Sequence, residues 1–202
     1  MHTVKKIFSD FSKGKIFTVF DTETTGLHPA TDKLLEIGAI QFDNKGILAE
    51  YETLINPEQY ITPETTSISG ITNDMVKNEL PCKDILPGFL AFIKGTPLIA
   101  HNCNFDVAFI NHSLEKCDLP QLEKPNIPAI DTIAIAKKIF PNLPRYKLQF
   151  LAEYFKIPVF QAHRAKDDAR VCMDLFCLCY KEAINKGIIP EEPFQDQSVF
   201  RF

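Results

Sequence analysis

The sequence has no Cys-x-x-Cys pair, no apolar run long enough to span a bilayer, no Gly/Ser/Pro-rich linker at its centre and no internal repeat. Each absence removes a class of protein. Of the six cysteines, at 82, 103, 117, 172, 177 and 179, the last three share one helical segment. They are expected as small core residues in a reducing compartment, not as a zinc site. The charged N-terminus, with Lys5, Lys6, Asp10, Lys13 and Lys15 around short apolar pairs, is no signal-peptide core, so a cytoplasmic protein without a membrane partner is expected. With no linker or repeat, 202 residues make one domain with a sizeable core. Strong charge of one sign is missing as well. A net charge of −4 excludes a chain coated in basic residues for nonspecific nucleic-acid binding, yet leaves room for a local basic path beside an acidic site.

What is present centres on Ile16 to Leu27, Ile-Phe-Thr-Val-Phe-Asp-Thr-Glu-Thr-Thr-Gly-Leu. Its β-branched and aromatic first half reads as a buried strand, and Thr-Thr-Gly ends it. Strand side chains alternate, so Phe17, Val19, Asp21 and Glu23 share one face. Two carboxylates about 4 Å apart repel by roughly 4 kcal/mol at an effective dielectric near 20. They must raise a pKa, distort the strand, take a divalent cation with hard-oxygen preference, or stand solvated at a polar strand end.

Leu34 to Phe42 and Ile47 to Ile55 read as two more strands around the turn Asp43-Asn-Lys-Gly46, giving three consecutive antiparallel strands. Glu36, in apolar company, reads as structural. Pro57 to Leu80 is irregular, with a short helix capped by Thr72. Lys83 to Lys94 has helical periodicity interrupted by Pro87-Gly88. A short strand at 97–100 leads into a helix from Asn104 to Cys117, whose stripe Cys103, Asp106, Ile110, Leu114, Cys117 puts an acid on an apolar face. Such an acid needs a partner, or merely favours the helix dipole. Asp131 is expected to cap a helix through Phe140, and Lys147 to Phe155 forms another. The last helix, Asp167 to Lys186, stops at Gly187 and repeats the signature with Asp168, Cys172, Leu175, Cys179 and Ala183. His163, five residues before Asp168, reaches that acid only from a loop folding back over the helix start. There it is a candidate proton acceptor.

Asp21-Thr-Glu23-Thr-Thr-Gly, His101-Asn-x-x-Phe105-Asp106 and His163-Arg-Ala-Lys-Asp-Asp168 resemble, in order, the three motifs of the DEDDh 3′-to-5′ exonucleases, the group that includes the proofreading subunit of bacterial DNA polymerase III. The resemblance covers roughly residues 15 to 187. It implies an α/β, RNase H-like mixed five-strand sheet, three antiparallel strands then two parallel, flanked by helices. The chain then divides into an N-terminal extension (1–14), the exonuclease domain (15–187) and a C-terminal tail (188–202). By the same resemblance Asp21, Glu23, Asp106 and Asp168 hold two divalent cations, Mg²⁺ or Mn²⁺, at a nucleic-acid 3′ end, DNA before RNA, and His163 serves as general base. Thr24, Leu27 and Phe105 surround the terminal nucleotide, with His101, Asn102 and Ile71 as further contacts. Arg145, Lys147, Arg164, Lys166 and Arg170 form either a basic path or a solvated face. Alternatives left open are a ribonuclease trimming RNA 3′ ends and a noncatalytic binding domain, although all five catalytic positions are intact. No long extension follows the domain, so tight polymerase association is not expected. Gln195 and Phe200 loosely resemble a sliding-clamp peptide, and Val199, Phe200 and Phe202 otherwise fold back onto the domain.

Overall fold

Alternation along the strands decides how the sheet is covered. In the computed structural model, which describes residues 4–122 and 129–190, β1 (Phe17–Thr24) pairs antiparallel with β2 (Leu34–Asp43), and β2 antiparallel with β3 (Gly46–Leu54) through the expected turn. The short β4 (Leu98–Ala100) runs parallel to β1, and β5 (Ile130–Asp131) parallel to β4. The order β3-β2-β1-β4-β5 is the mixed five-strand sheet that the motifs implied.

Phe17, Val19, Ile40 and Phe42 point to one face, Phe20, Ile37 and Ala39 to the other, and each set seeds its own core. On the first face lie α6 (Thr132–Ile139), α7 (Leu148–Phe155) and the long α8 (Ala165–Asn185). The second is covered by α4 (Cys82–Ile93) and α5 (Cys103–Lys116). Cys172, Cys177 and Cys179 of α8 are buried in the first core, and burial pushes their thiols up, to about 12 for Cys179. They act as small apolar residues.

The segment 1–14, set apart in the sequence as an extension, carries a helix, α1 (Val4–Ser12), that enters the first core. Its Phe11 ring sits 5.1 to 6.0 Å from those of Phe17, Phe42, Phe176 and Tyr180. The spacing of Ile7, Phe8 and Phe11 gives α1 one buried face. Two further departures have local causes. α4 runs through Pro87-Gly88 without a break, because Leu86, Phe89 and Ile93 on either side of the proline are buried together. The irregular stretch contains α2 (Pro63–Ser69) besides the Thr72-capped α3 (Asn73–Val76). Thr62 caps α2, Pro63 opens it and left-handed Gly70 closes it.

Gly187, at φ +63°, ends α8 as expected, and Ile189 turns back into the first core. The tail residues Gln195, Val199, Phe200 and Phe202 lie outside the described residues. No helix among the described residues is long and apolar enough to cross a membrane.

Candidate active site

Three elements converge where β1 ends. Asp21 and Glu23 leave the same face as Phe17 and Val19, so they emerge on the α8 side, and the pairing register sets Asp21 opposite Gly38 and Glu23 opposite Glu36. Immediately after Glu23 the register shifts, Thr24 pairing with Leu34, so the strand is irregular at the point where the acids leave the sheet.

Asp106, in the first turn of α5, is 2% exposed, and its Oδ1 accepts the Thr22 backbone N–H at 3.0 Å and the Thr22 hydroxyl at 2.7 Å. Those two bonds fix one carboxylate oxygen against β1. Asp168, in the first turn of α8, is 6% exposed and accepts the His163 backbone N–H at 3.3 Å. His163 itself has φ +60°, the left-handed conformation that folds its loop back over the helix start. Ligand atoms of Glu23, His163 and Asp168 all lie within 4.8 Å of one another.

The electrostatics follow from burial and like charge. Burial, then repulsion from Asp106, Asp168, Glu23 and Glu36, holds the Asp21 carboxyl well above the usual range. Glu23 is pushed up to about 8, first by burial and then by Asp168, Glu36 and Asp106, with Arg164 opposing. Asp106 rises to about 7 through burial, against the Thr22 hydrogen bonds. Burial also raises Asp168, while His163 offsets part of the shift. Among the described residues no hydrogen bond reaches the carboxylates of Asp21 or Glu23. Four crowded acids with two of them unsolvated by the protein form a donor set that fits a hard divalent cation, Mg²⁺ or Mn²⁺.

The residues expected around a terminal nucleotide divide. The Thr24 hydroxyl donates to the Gly26 carbonyl at 2.6 Å and shapes the turn that leaves Leu27 74% exposed. Phe105 is half-buried, its ring 4.9 Å from that of Phe109. Asn102 is exposed at φ +65°, with its backbone N–H on Asp131 Oδ1 at 3.2 Å. The same Asp131 oxygen caps α6 at Ile133 N, 2.8 Å away, as the sequence suggested. His101 spends both ring nitrogens on the protein, Nδ1 on the Thr132 hydroxyl at 2.9 Å and Nε2 on the Tyr146 carbonyl at 2.8 Å. A carbonyl only accepts, so Nε2 carries the proton and Nδ1 accepts from Thr132, the neutral ring that burial favours by lowering its pKa. Ile71 differs from expectation: it is fully buried with Leu35, Ile61 and Val76 in a satellite cluster, and its side chain presents nothing to a nucleotide.

The basic path is also altered, because several of its cations are engaged. Arg164 binds Glu36 and Glu52, Lys166 binds Glu52 and Glu50, and Arg170 lies 3.5 Å from Asp174. Arg145 and Lys147 remain exposed on the loop that His101 holds through Tyr146.

Thr22, Glu36 and Gly38 are parts of the site with little or no signal in the sequence. For Glu36 and Gly38 the signal is parity: with β1 and β2 in register, positions 36 and 38 face the same side as Asp21 and Glu23. Thr22 points to the other face and enters through its two hydrogen bonds to Asp106 of α5.

The Exonuclease family model (RNase T) matches residues 18–176. Over 162 residues the chain is 50% identical to DNA polymerase III subunit epsilon of Treponema pallidum, an alignment covering 79% of this chain and 74% of that protein. It is 40% identical over 172 residues to the PolC-type DNA polymerase III of Caldanaerobacter subterraneus, 85% of this chain but 12% of that much longer one. Escherichia coli exonuclease I in complex with a dT13 oligonucleotide superposes at a TM-score of 0.73 and 17% identity over 86% of this chain and 42% of that chain. Exonuclease X in complex with 5′-overhanging duplex DNA superposes at 0.61 and 24% identity over 85% and 93%. At these identities the two structures speak for the RNase H-like fold.

Proposed function

The chain belongs to the exonuclease family and is a 3′-to-5′ exonuclease, and from that premise we propose that it releases nucleoside monophosphates from the 3′ end of DNA. In this reading Asp21, Glu23, Asp106 and Asp168 hold two divalent cations, and His163 is the general base. The observation that carries it is the meeting of Glu23, His163 and Asp168 within 4.8 Å, beside a β1 acid and an α5 acid that share their field.

Two Mg²⁺ or Mn²⁺ ions, when bound, neutralise the acids and stabilise charge on the attacking and leaving oxygens of the phosphodiester. The chain's own work is positional. Thr22 orients Asp106, the α8 N-terminus presents Asp168, and the reversed loop brings the His163 imidazole to the acids, where it accepts the proton of the attacking water. Exposed Leu27 and the Phe105 ring offer apolar surfaces to an unstacked terminal base. Arg145 and Lys147 face the strand's phosphates. The polymerase III names of the relatives and the DNA in the exonuclease I and X structures support DNA as the substrate, in proofreading or repair in the cytoplasm.

The test is degradation of matched 5′-labelled DNA and RNA strands, single and duplex, with Mg²⁺, with Mn²⁺ and with EDTA. A ladder shortening from the 3′ end of DNA, abolished by EDTA, is expected. Degradation of RNA alone, or activity that survives EDTA, overturns the reading. Clamp binding by the tail rests on Gln195 and Phe200. Truncation after Pro193 should abolish binding to a purified sliding clamp while the melting temperature holds. A fall in melting temperature would assign those residues to the domain instead.

A further inference from the structure

Glu36 lies beside the four acids, but its charge is balanced by the protein itself. It is fully buried on β2, directly across from Glu23. Arg164 Nε donates to both of its oxygens at 3.1 Å, and Arg164 Nη2 donates to Oε1 at 2.6 Å. The backbone N–H of Ala165 donates to Oε2 at 2.9 Å.

That last bond has a particular meaning at a helix start. Arg164 occupies the N-cap of α8 and makes no side-chain cap bond. The orphan N–H of the first turn is satisfied instead by a carboxylate reaching across from the sheet, which also suits the positive end of the helix dipole. Gly38, two residues along β2 on the same face, completes the seat. A Cβ at that position would stand 2.1 Å from Lys166 N and 2.3 Å from Ala165 C, so the helix backbone rests directly on the strand. On the adjacent strand, Glu52 holds Lys166 at 2.6 Å. The residues pinned in this way, 164 to 166, immediately follow His163, whose left-handed backbone donates a 3.3 Å bond to Asp168 on the other side.

Resting on the general-base reading above, we propose that Glu36 is a positioning residue for catalysis: through Arg164 and the α8 N-terminus, it sets the distance at which the His163 imidazole meets the metal-binding acids. A bidentate guanidinium–carboxylate pair suits this task because it fixes orientation as well as separation. Lysine in place of arginine keeps the charge and loses the fork.

The experiment is a kinetic double-mutant cycle on the full chain, with Glu36→Gln, Arg164→Lys and His163→Ala, each alone and the first two each combined with the third. Thermal melts verify that every variant is folded at the assay temperature. Glu36→Gln and Arg164→Lys should each lower kcat by about 10²-fold, the cost of an ångström-scale misplacement, with KM for a short DNA strand and the half-saturating Mn²⁺ concentration unchanged. In the His163→Ala background the same substitutions should change kcat less than about twofold, because the group they position is gone. Should Glu36→Gln fail to fold, the Glu36→Gln/Arg164→Gln pair, which removes both charges of the ion pair together, carries the same comparison. Equal losses with and without His163, or unchanged kcat in the folded single variants, overturn the proposal. If His163→Ala alone leaves kcat intact, it is the general-base reading that has failed, and this inference falls with it.

Discussion

At the scale of single residues the site is a set of acids that the apo protein holds at a cost. Asp21 is the extreme case, repelled by four other carboxylates and offered no hydrogen bond by the described residues. Asp21→Ala should therefore leave the melting temperature in EDTA unchanged or higher, since the substitution removes repulsion, and, under the proposed two-cation reading, should reduce exonuclease activity to background. Melts with and without Mn²⁺, run beside the activity assay, give the answer. Near-wild-type degradation by the variant would remove Asp21 from the metal site. His163 calls for a different measurement, because its ligand atoms stand close enough to Glu23 and Asp168 to share a cation. As a base, its loss in His163→Ala should cut turnover by about 10²- to 10⁴-fold with the Mn²⁺-induced rise in melting temperature retained. Loss of that rise would make the histidine a ligand instead. Asp106 and Asp168 stand out in the sequence as acids at the head of otherwise apolar helical stripes, and Asp21 and Glu23 as neighbours on one strand face. Their grouping with His163 into one site is what the motif resemblance implies. Glu36 and Gly38 were not legible, because their roles depend on a register that only the paired strands define, and Thr22 was not, because its role depends on where α5 meets β1.

Among the elements, the strands and the long helices declared themselves through periodicity, and the misses were those whose partners lie far away in sequence. α1 is the clearest. Nine residues of helix are marginal in isolation, and a short amphipathic stretch beside charged residues gives no sign of its docking site. The site exists only once Phe17, Phe42, Phe176 and Tyr180 have been assembled from β1, β2 and α8. Phe11→Ala should then destabilise the whole domain by about 3 to 5 kcal/mol, the range for removing a buried aromatic. Urea denaturation measures it. A change below about 1 kcal/mol would mean that α1 contributes little to the core. Ile71 failed in the opposite sense: the resemblance placed it at a nucleotide, and burial against Leu35 and Val76 places its side chain in packing.

For the molecule as a whole, acids crowded on one sheet end make folding and protonation interdependent. Glu23 rises from an ordinary 4.5 to about 8 and Asp106 from 3.8 to about 7, both led by burial. The folded, metal-free chain thus binds more protons than the unfolded chain between those limits, so stability must fall as pH rises. The sign is opposite to that of a salt-bridged carboxylate, whose stabilisation is lost on acidification. The contribution is complete below about pH 4 and is withdrawn progressively up to about pH 8, so in EDTA the melting temperature should decline from pH 5 to pH 8. Saturating Mg²⁺ or Mn²⁺ should flatten or reverse that slope, because a cation binds the ionised acids and releases their protons in doing so. Asp21→Ala, with one repelling charge removed, should show a shallower decline in EDTA than the parent. A melting temperature in EDTA that is flat across this window, or that climbs with pH, would mean that the acids are solvated separately and do not form one electrostatic unit. The two-cation reading of the site would then lose its physical basis.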